Sequence, residues 1–132
     1  MAIAVGQKTQ VSKTIAVPAD TNPWGDIFGG WILSLMDIAA GSVAARVAMG
    51  TIATKAINNV VFEAPIFVGD EVGVYATLKK IGRTSMQIFV EVMVKRNSVG
   101  EEILAVCGDF VMVALNEDRL PRAVLQGENN AE

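Results

Sequence analysis

One apolar run constrains the fold of this chain more than any other feature. The segment IFGGWILSLMDIAAGSVAA, residues 27–45, is apolar or small at every position except Asp37, the only ionisable residue between Asp26 and Arg46. An isolated carboxylate removed from water must be paired, hydrogen-bonded or neutralised. Asp37 is therefore either a structural residue, whose hydrogen bonds are satisfied at a subunit interface, or a residue that takes part directly in the chemistry that the protein performs.

The same run predicts one long helix from about Gly29 to Met49, because no proline interrupts it and Leu, Met and Ala are good helix formers. Gly50 is expected to end the helix, because helices commonly end at a glycine. The helical face that holds Asp37 is built from small side chains, namely Gly30, Ser34, Gly41, Ala44, Ala45 and Ala48. A helix that is apolar on most sides is buried, and a face of small residues lets another backbone or a ligand approach closely.

The rest of the chain predicts β-structure. Alternating segments rich in Val, Ile, Thr and Phe predict strands at 9–17, 51–64, 71–81, 84–97 and 102–115. Turn residues separate the later strands as hairpins, at Pro65 with Val68-Gly69-Asp70, at Gly82-Arg83, and from Asn97 to Gly100. The prediction is an α+β fold in which a long antiparallel sheet of about five strands wraps around one central helix. It forms a single domain over residues 1–132, with 117–132 a mostly polar tail that we expect to fray at its last residues, QGENNAE.

Composition excludes several classes of function. The chain has no histidine, which removes Ser-His-Asp and Cys-His nucleophiles and nearly all zinc sites. Its 14 acidic and 11 basic residues give a net charge of −3 without a basic stripe, so nucleic acid is not an expected partner. A charge near the centre of the apolar run, together with its glycines and serines, argues against a membrane span. We expect no metal ion.

Two further properties concern assembly and compartment. The chain is 52% hydrophobic with a mean hydropathy of +0.41, more apolar than a monomer of this size needs, which favours a homo-oligomer. The single cysteine, Cys107, lies in an apolar strand and is interpreted as a small buried hydrophobe. With no disulfide possible inside the chain, the expected compartment is the reducing cytoplasm.

Phe28-Gly29-Gly30 lies at the predicted start of the helix, where backbone amides have no partner inside the helix. This is a candidate oxyanion site, although a tight turn or close packing explains a glycine pair equally well. Gly30 and Asp37 are separated by about 10 Å along the helix axis, too far to flank one carbonyl within one subunit. A two-fold related copy would bring Asp37 of one subunit towards the glycine amides of the other. The dimer interface would then be the active site.

The stretches DTNPWGDIFGGWILSLMD, VVFEAPIFVGDEV and IGRTSMQIFVEV resemble the hotdog-fold acyl-CoA thioesterases, specifically the YciA-like broad-specificity acyl-CoA hydrolases. The similarity covers about residues 13–115. It implies a hotdog fold and hydrolysis of acyl-CoA thioesters to free carboxylic acid and coenzyme A, with no cofactor apart from the coenzyme A of the substrate. It also implies a homo-oligomer whose minimal active unit is a dimer, assembled as a hexamer of three dimers.

The resemblance assigns roles at the helix start. Asp37 would be the catalytic carboxylate, acting as general base or as nucleophile. Asn22 would position the water or the thioester across the subunit interface. The backbone amides of Gly29 and Gly30 would polarise the thioester carbonyl.

Coenzyme A carries phosphates, so basic residues should line its entrance. Arg83 matches the phosphate-proximal hairpin of the family, and the amides of Thr84 and Ser85 are candidate contacts to phosphate or pantetheine. Weaker candidates, for which solvated strand-end charges are the alternative, are Lys55, Lys79 and Lys80.

Asn58 and Asn59 follow the helix on the next predicted strand. They are candidates for lining the acyl or pantetheine tunnel, and a strand-edge role is their alternative. Two other functions stay open from the residues. One is a non-catalytic acyl-CoA or lipid-binding hotdog module, and the other is a purely structural oligomer with Asp37 satisfied at an interface.

Overall fold

The computed structural model describes residues 3–125, in which antiparallel strands form one five-stranded sheet. The strands are β1 (Lys8–Ile15), β2 (Ile52–Phe62), β3 (Glu71–Ile81), β4 (Ser85–Lys95) and β5 (Ile103–Ala114), and the helix is α1 (Gly29–Ala48). Neighbouring strands lie in the order β1-β3-β4-β5-β2, which leaves β1 and β2 at the two edges. This is the predicted α+β arrangement of one long helix and an antiparallel sheet.

The strand pairing departs from the prediction at one connection. The β3–β4 and β4–β5 turns close hairpins, as predicted. The turn around Pro65 does not, because β2 pairs with β5 and β3 pairs with β1 and β4. That hairpin prediction is wrong. Alternation identifies a strand but not its neighbour, and residues 63–70 instead carry the chain from the edge strand to the far side of the sheet.

The C-terminal end of α1 is fixed by a side chain from the end of the described chain. The left-handed residue that ends the helix is Met49, with φ 56°, one position before the predicted stop. Arg122 Nη2 donates to Ala48 O over 2.8 Å. A Cβ on Gly50 would lie 2.9 Å from the same Nη2. Gly50 therefore leaves room for the guanidinium of Arg122, which a Cβ would displace, and is not required by a positive φ.

The core lies between α1 and one face of the sheet. On β4 the buried side chains alternate as the period-two pattern predicts, namely Met86, Ile88, Val90, Val92 and Val94. The helix contributes Ile32, Met36, Ala39, Ala40 and Val43. Burial of each Val, Ile or Met side chain in this layer contributes about 1.5–3 kcal/mol, so the layer is a main source of stability.

The face of α1 that holds Asp37 is divided between core and surface. Ala44 and Ala48 are buried, whereas Gly30 and Ser34 are exposed.

By length and composition alone α1 passes as a membrane span, with a mean hydropathy of 1.4. In the structure the sheet covers the apolar side of α1, so α1 is the core helix of this fold.

The segment from residue 117 onwards, expected as a polar tail, is described up to residue 125. Within it Val124 is buried in the core, and its N–H donates to Arg83 O over 2.8 Å. Pro121 forms an isolated bridge with Leu115. The stretch QGENNAE lies outside the described residues.

Candidate active site

Asp37 lies on α1 opposite the edge strand β2. Thr54 of that strand donates a hydrogen bond from Oγ1 to Asp37 Oδ1 over 2.6 Å. The carboxylate is half-buried and has no cationic partner among residues 3–125, so a hydroxyl and not a charge satisfies it. A hydrogen bond to an ionised acceptor is short and orienting. No sequence signal singled out Thr54, because threonine is common in strands and its contact is seventeen residues away in the chain.

The first amides of α1 are open. The N–H groups of Gly29 and Gly30 donate to no acceptor within residues 3–125, and the first bonded amides of the helix donate to Phe28 O at 3.1 and 3.3 Å. A Cβ on Gly29 would lie 3.7 Å from the ring of Phe62, and a Cβ on Gly30 would lie 3.2 Å from the ring of Phe28. Free donors at the positive end of a helix dipole stabilise an anion. The predicted oxyanion donors are thus geometrically available.

Asn22 organises the loop that leads into the helix. Its Oδ1 accepts hydrogen bonds from Trp24 N at 3.0 Å and from Asp26 N at 3.1 Å. Its own N–H donates to Asp26 O over 2.8 Å, which closes the turn. The side-chain oxygen is therefore occupied by the loop. The Nδ2 group, which has no acceptor among the described residues, is the part of Asn22 left to bind a substrate or a water molecule.

A cavity of about 320 Å³ joins Asn22 to the start of the helix. It lies between the Asn22 loop and the segment after β2, and its lining residues are Asn22, Asp26, Ile27, Gly29, Ile32, Phe62, Glu63, Ala64, Pro65 and Ile66. Asp37 is not among them. Within one protomer the structure brings Asn22 and Gly29 together and keeps Asp37 apart, as the spacing along the helix predicts.

An ion pair with one buried partner, which the sequence did not reveal, holds one wall of this cavity. Asp70 is 2% exposed, and Arg96 from the β4–β5 turn pairs with it. The guanidinium also donates to Pro65 O over 3.2 Å and stacks on Phe67 with its carbon 4.7 Å from the ring centroid. Such a pair is costly to break, because the buried carboxylate of Asp70 would keep only the N–H of Phe67, 2.9 Å away, as a partner.

Most of the residues predicted to meet coenzyme A lie at or beside the β3–β4 turn. Arg83 is exposed, whereas its carbonyl accepts from Val124 N. Thr84 O accepts from Ala114 N at 3.0 Å, and Ser85 O accepts from Gly82 N at 2.7 Å.

Lys80 is exposed near the end of β3, and Lys79 lies over the ring of Phe89 with Nζ 6.0 Å from the centroid. None of these residues lines the cavity, so their contact with coenzyme A stays a prediction.

The two asparagines of β2 have different surroundings. Asn59 adopts a left-handed conformation, φ 54°, at a bulge of the strand, and its Nδ2 donates to Asp109 Oδ2 over 3.4 Å. Asn58 is exposed and paired in register with Asp109. Lys55 is exposed at a second irregularity of the same strand. None of the three lines the cavity, so a role for any of them in substrate binding also stays a prediction.

Cys107 does not have the properties of a nucleophile. Burial raises the pKa of its thiol, and the carboxylates of Glu63, Glu91 and Asp109 raise it further. The thiolate is therefore disfavoured at neutral pH. Within residues 3–125 no group of three or more Cys, Asp or Glu side chains is placed to hold a metal ion.

Comparison with known proteins identifies the family of the chain. A model of the thioesterase superfamily matches residues 25–101. The chain belongs to the thioesterase superfamily. An uncharacterized acyl-CoA thioester hydrolase of Zymomonas mobilis is 48% identical over 109 residues, which is 83% of this chain and 73% of the relative. The acyl-CoA thioester hydrolase YciA of Escherichia coli is 40% identical over 123 residues, 91% of this chain and 93% of the relative.

A solved structure extends the likeness to the fold. A hexameric broad-specificity acyl-coenzyme A thioesterase, determined as an aspartate-to-alanine mutant, superposes with a TM-score of 0.86 at 37% identity. The match covers 92% of this chain and 89% of the other. These comparisons confirm the predicted resemblance to YciA-like thioesterases and the predicted hotdog fold.

Proposed function

We propose that this chain hydrolyses acyl-CoA thioesters to free carboxylic acids and coenzyme A, with Asp37 as the catalytic carboxylate. One structural observation carries the proposal. The same helix presents two unbonded amides at Gly29 and Gly30 and a hydroxyl-oriented carboxylate at Asp37. These are an oxyanion site and a base, the two elements that thioester hydrolysis requires. Membership in the thioesterase superfamily supports this assignment.

In the proposed reaction the cavity beside Gly29 holds the acyl group. Asp37 takes a proton from water as the water oxygen attacks the thioester carbonyl carbon. The Gly29 and Gly30 amides stabilise the resulting oxyanion, and Thr54 fixes the carboxylate. The carbon–sulfur bond then breaks, and the proton held by Asp37 neutralises the thiolate of coenzyme A. Direct attack by Asp37, through an anhydride that water hydrolyses, is the alternative route to the same products. Neither route uses a cofactor.

The site is shared by two protomers in this proposal. Gly30 and Asp37 of one helix are about 10 Å apart along its axis, and Asp37 does not line the cavity of its own protomer. A partner related by a two-fold axis supplies the missing carboxylate. Exposed apolar residues on α1 and on the edge strand β2 favour such a contact, including Ile38 at 64% and Phe62 at 52% exposure. The dimer is the minimal active unit, and a hexamer of three dimers is the proposed assembly.

The compartment we propose is the cytoplasm, where acyl-CoA thioesters occur with reduced thiols. The free thiol of Cys107 is compatible with that location.

Mixed oligomers test the shared site. Asp37→Ala and Asn22→Ala chains should each lack activity, because every site contains one damaged component. In a mixed dimer, one of the two sites combines an intact Asp37 from one chain with an intact Asn22 from the other. When the two chains are mixed in equal amounts, about half of the dimers are mixed, so about a quarter of all sites are intact. We therefore expect about a quarter of the wild-type rate of butyryl-CoA hydrolysis. If the chains exchange subunits and no activity returns, the shared geometry is wrong.

A conservative substitution tests the chemistry. Asp37→Asn keeps the shape and hydrogen-bonding capacity of the side chain while removing its charge and basicity. We expect its kcat to fall at least about a hundredfold, because general-base catalysis contributes on that scale. The control is an unchanged oligomer size and melting temperature. Near-normal turnover by the folded variant would exclude Asp37 as the catalytic carboxylate.

A further inference from the structure

Arg96 does not line the cavity at the helix start, yet it holds three points of the segment that forms one wall of that cavity. Its Nη1 pairs with Asp70, and its Nη2 donates to Pro65 O over 3.2 Å. Its guanidinium carbon lies 4.7 Å from the centre of the Phe67 ring. A guanidinium is planar and rigid, so two groups bonded to different nitrogens are fixed relative to each other. Arg96 therefore sets the shape of residues 65–70.

Pro65 depends on this contact for its place in the wall. A proline has no N–H, so its carbonyl is the only backbone group through which it can form a hydrogen bond. Within residues 3–125, the donor to this carbonyl is the guanidinium of Arg96. The preceding anchor of the segment is the N–H of Ala64, which donates to Ala105 O over 3.1 Å. Loss of the guanidinium would free the wall directly after that anchor.

The next residue joins this wall to the start of α1. Ile66 is 2% exposed, and its carbonyl accepts a hydrogen bond from Ile27 N over 3.1 Å. Ile27 is also buried, and Gly29 follows two residues later, at most about 7 Å away along the chain. A shift of the wall would therefore move the backbone that carries the free amides of Gly29 and Gly30.

We propose that Arg96 is a positioning residue for thioester hydrolysis, which acts through Pro65 and Ile66 on the oxyanion amides of α1. This inference rests on the proposed thioesterase function. An oxyanion site works because its donors are already aimed at the charge that develops in the transition state, so a misplacement of about 1 Å lowers the rate. Because these donors act on the transition state more than on the bound thioester, the loss falls mainly on kcat and not on KM.

Two variants separate positioning from stability. Arg96→Lys keeps a cation beside Asp70 but replaces the planar fork by one ammonium group, which does not hold Asp70 and Pro65 O in the same geometry. The double variant, Arg96→Met with Asp70→Asn, removes the buried carboxylate together with its partner and keeps an acceptor for Phe67 N. It therefore recovers stability relative to Arg96→Met without restoring the bond to Pro65 O.

Asn116→Ala is the matched control for a loss of stability. Asn116 Oδ1 accepts from the N–H groups of Asp118 and Leu120, so the variant leaves two backbone donors without their acceptor. This loop lies beside Gly50, after the C-terminal end of α1, and does not line the cavity at the helix start. The control thus destabilises the protein without touching the wall that Arg96 holds.

For each oligomer, kcat and KM for butyryl-CoA are measured together with the urea midpoint of unfolding and the oligomer size. We expect kcat to fall at least about fivefold in Arg96→Lys and in the double variant, with KM within about twofold of the wild type. Asn116→Ala should keep the wild-type kcat.

A wild-type kcat in either Arg96 variant would overturn this inference and leave the thioesterase function standing. So would a fall of kcat in Asn116→Ala as large as that in the double variant, because activity would then follow stability alone. Failure of the wild type to hydrolyse butyryl-CoA or any other acyl-CoA would overturn both.

Discussion

Replacing Thr54 by valine removes the hydroxyl that contacts Asp37 and preserves the β-branched shape of the side chain. The lost interaction is a hydrogen bond of 2.6 Å to a carboxylate oxygen. Hydrogen bonds to charged groups contribute about 1.5–3 kcal/mol to stability. Because Thr54 is exposed and Asp37 is half-buried, solvent reduces this to about 1 kcal/mol. If the bond orients the carboxylate for attack, the same energy lowers kcat about fivefold.

The assay is steady-state hydrolysis of butyryl-CoA, followed by the appearance of the free thiol of coenzyme A. Thr54→Ser provides the matched control, because it keeps the hydroxyl and loses only a methyl group. We expect Thr54→Ser to stay near the wild-type kcat and Thr54→Val to fall below it. Melting temperatures and oligomer size separate this effect from unfolding.

Two outcomes would refute the role of the hydroxyl. A full kcat in Thr54→Val would mean that the bond to Asp37 is incidental to turnover. An equally low kcat in Thr54→Ser would mean that the methyl group, through packing, matters and the hydroxyl does not.

Three further predictions concern stability and reactivity. Asn22→Ala removes the acceptor of two backbone N–H groups and should lower the free energy of unfolding by about 1–2 kcal/mol, measured in urea. Arg96→Met removes the cation beside buried Asp70 and leaves its carboxylate only the N–H of Phe67, so the free energy of unfolding should fall by about 2 kcal/mol, less in the double variant with Asp70→Asn. Because burial raises its thiol pKa, Cys107 in the folded protein should react with iodoacetamide at neutral pH more slowly than in urea, and more quickly as pH rises through that pKa. Equal rates in the folded and unfolded chain would contradict the last prediction.

Local pattern was sufficient to predict most elements of the fold. The β3 bounds, 71–81, match the prediction, and the other strands differ from it by at most two residues at each end. The helix was predictable because Leu, Met and Ala are frequent in it and no proline interrupts it, which outweighs its glycines. The partner of β2 was not predictable, since alternation carries no information about which strand lies next to it.

The residues of the candidate site likewise divide into those that the sequence predicts and those that it does not. Asp37 and the Gly29-Gly30 pair were identifiable because an isolated charge and a glycine pair at a helix start are local signals. Thr54 was not, because it becomes relevant only when β2 folds beside α1. The ion pair of Asp70 and Arg96 joins two turns that are distant in the chain, and the sequence of neither turn indicates that the two turns meet.

A single rigid helix carries both the oxyanion amides and the catalytic carboxylate proposed for this protein, which makes the catalytic geometry a matter of residue count. Inserting or deleting one residue between Gly30 and Asp37 would rotate the carboxylate by about 100° around the helix and shift it by about 1.5 Å. Symmetry would impose that error on both sites of a dimer at once. Substitutions around the cavity can therefore diversify its substrates during evolution, whereas the number of residues between the two catalytic elements of α1 cannot change without loss of activity.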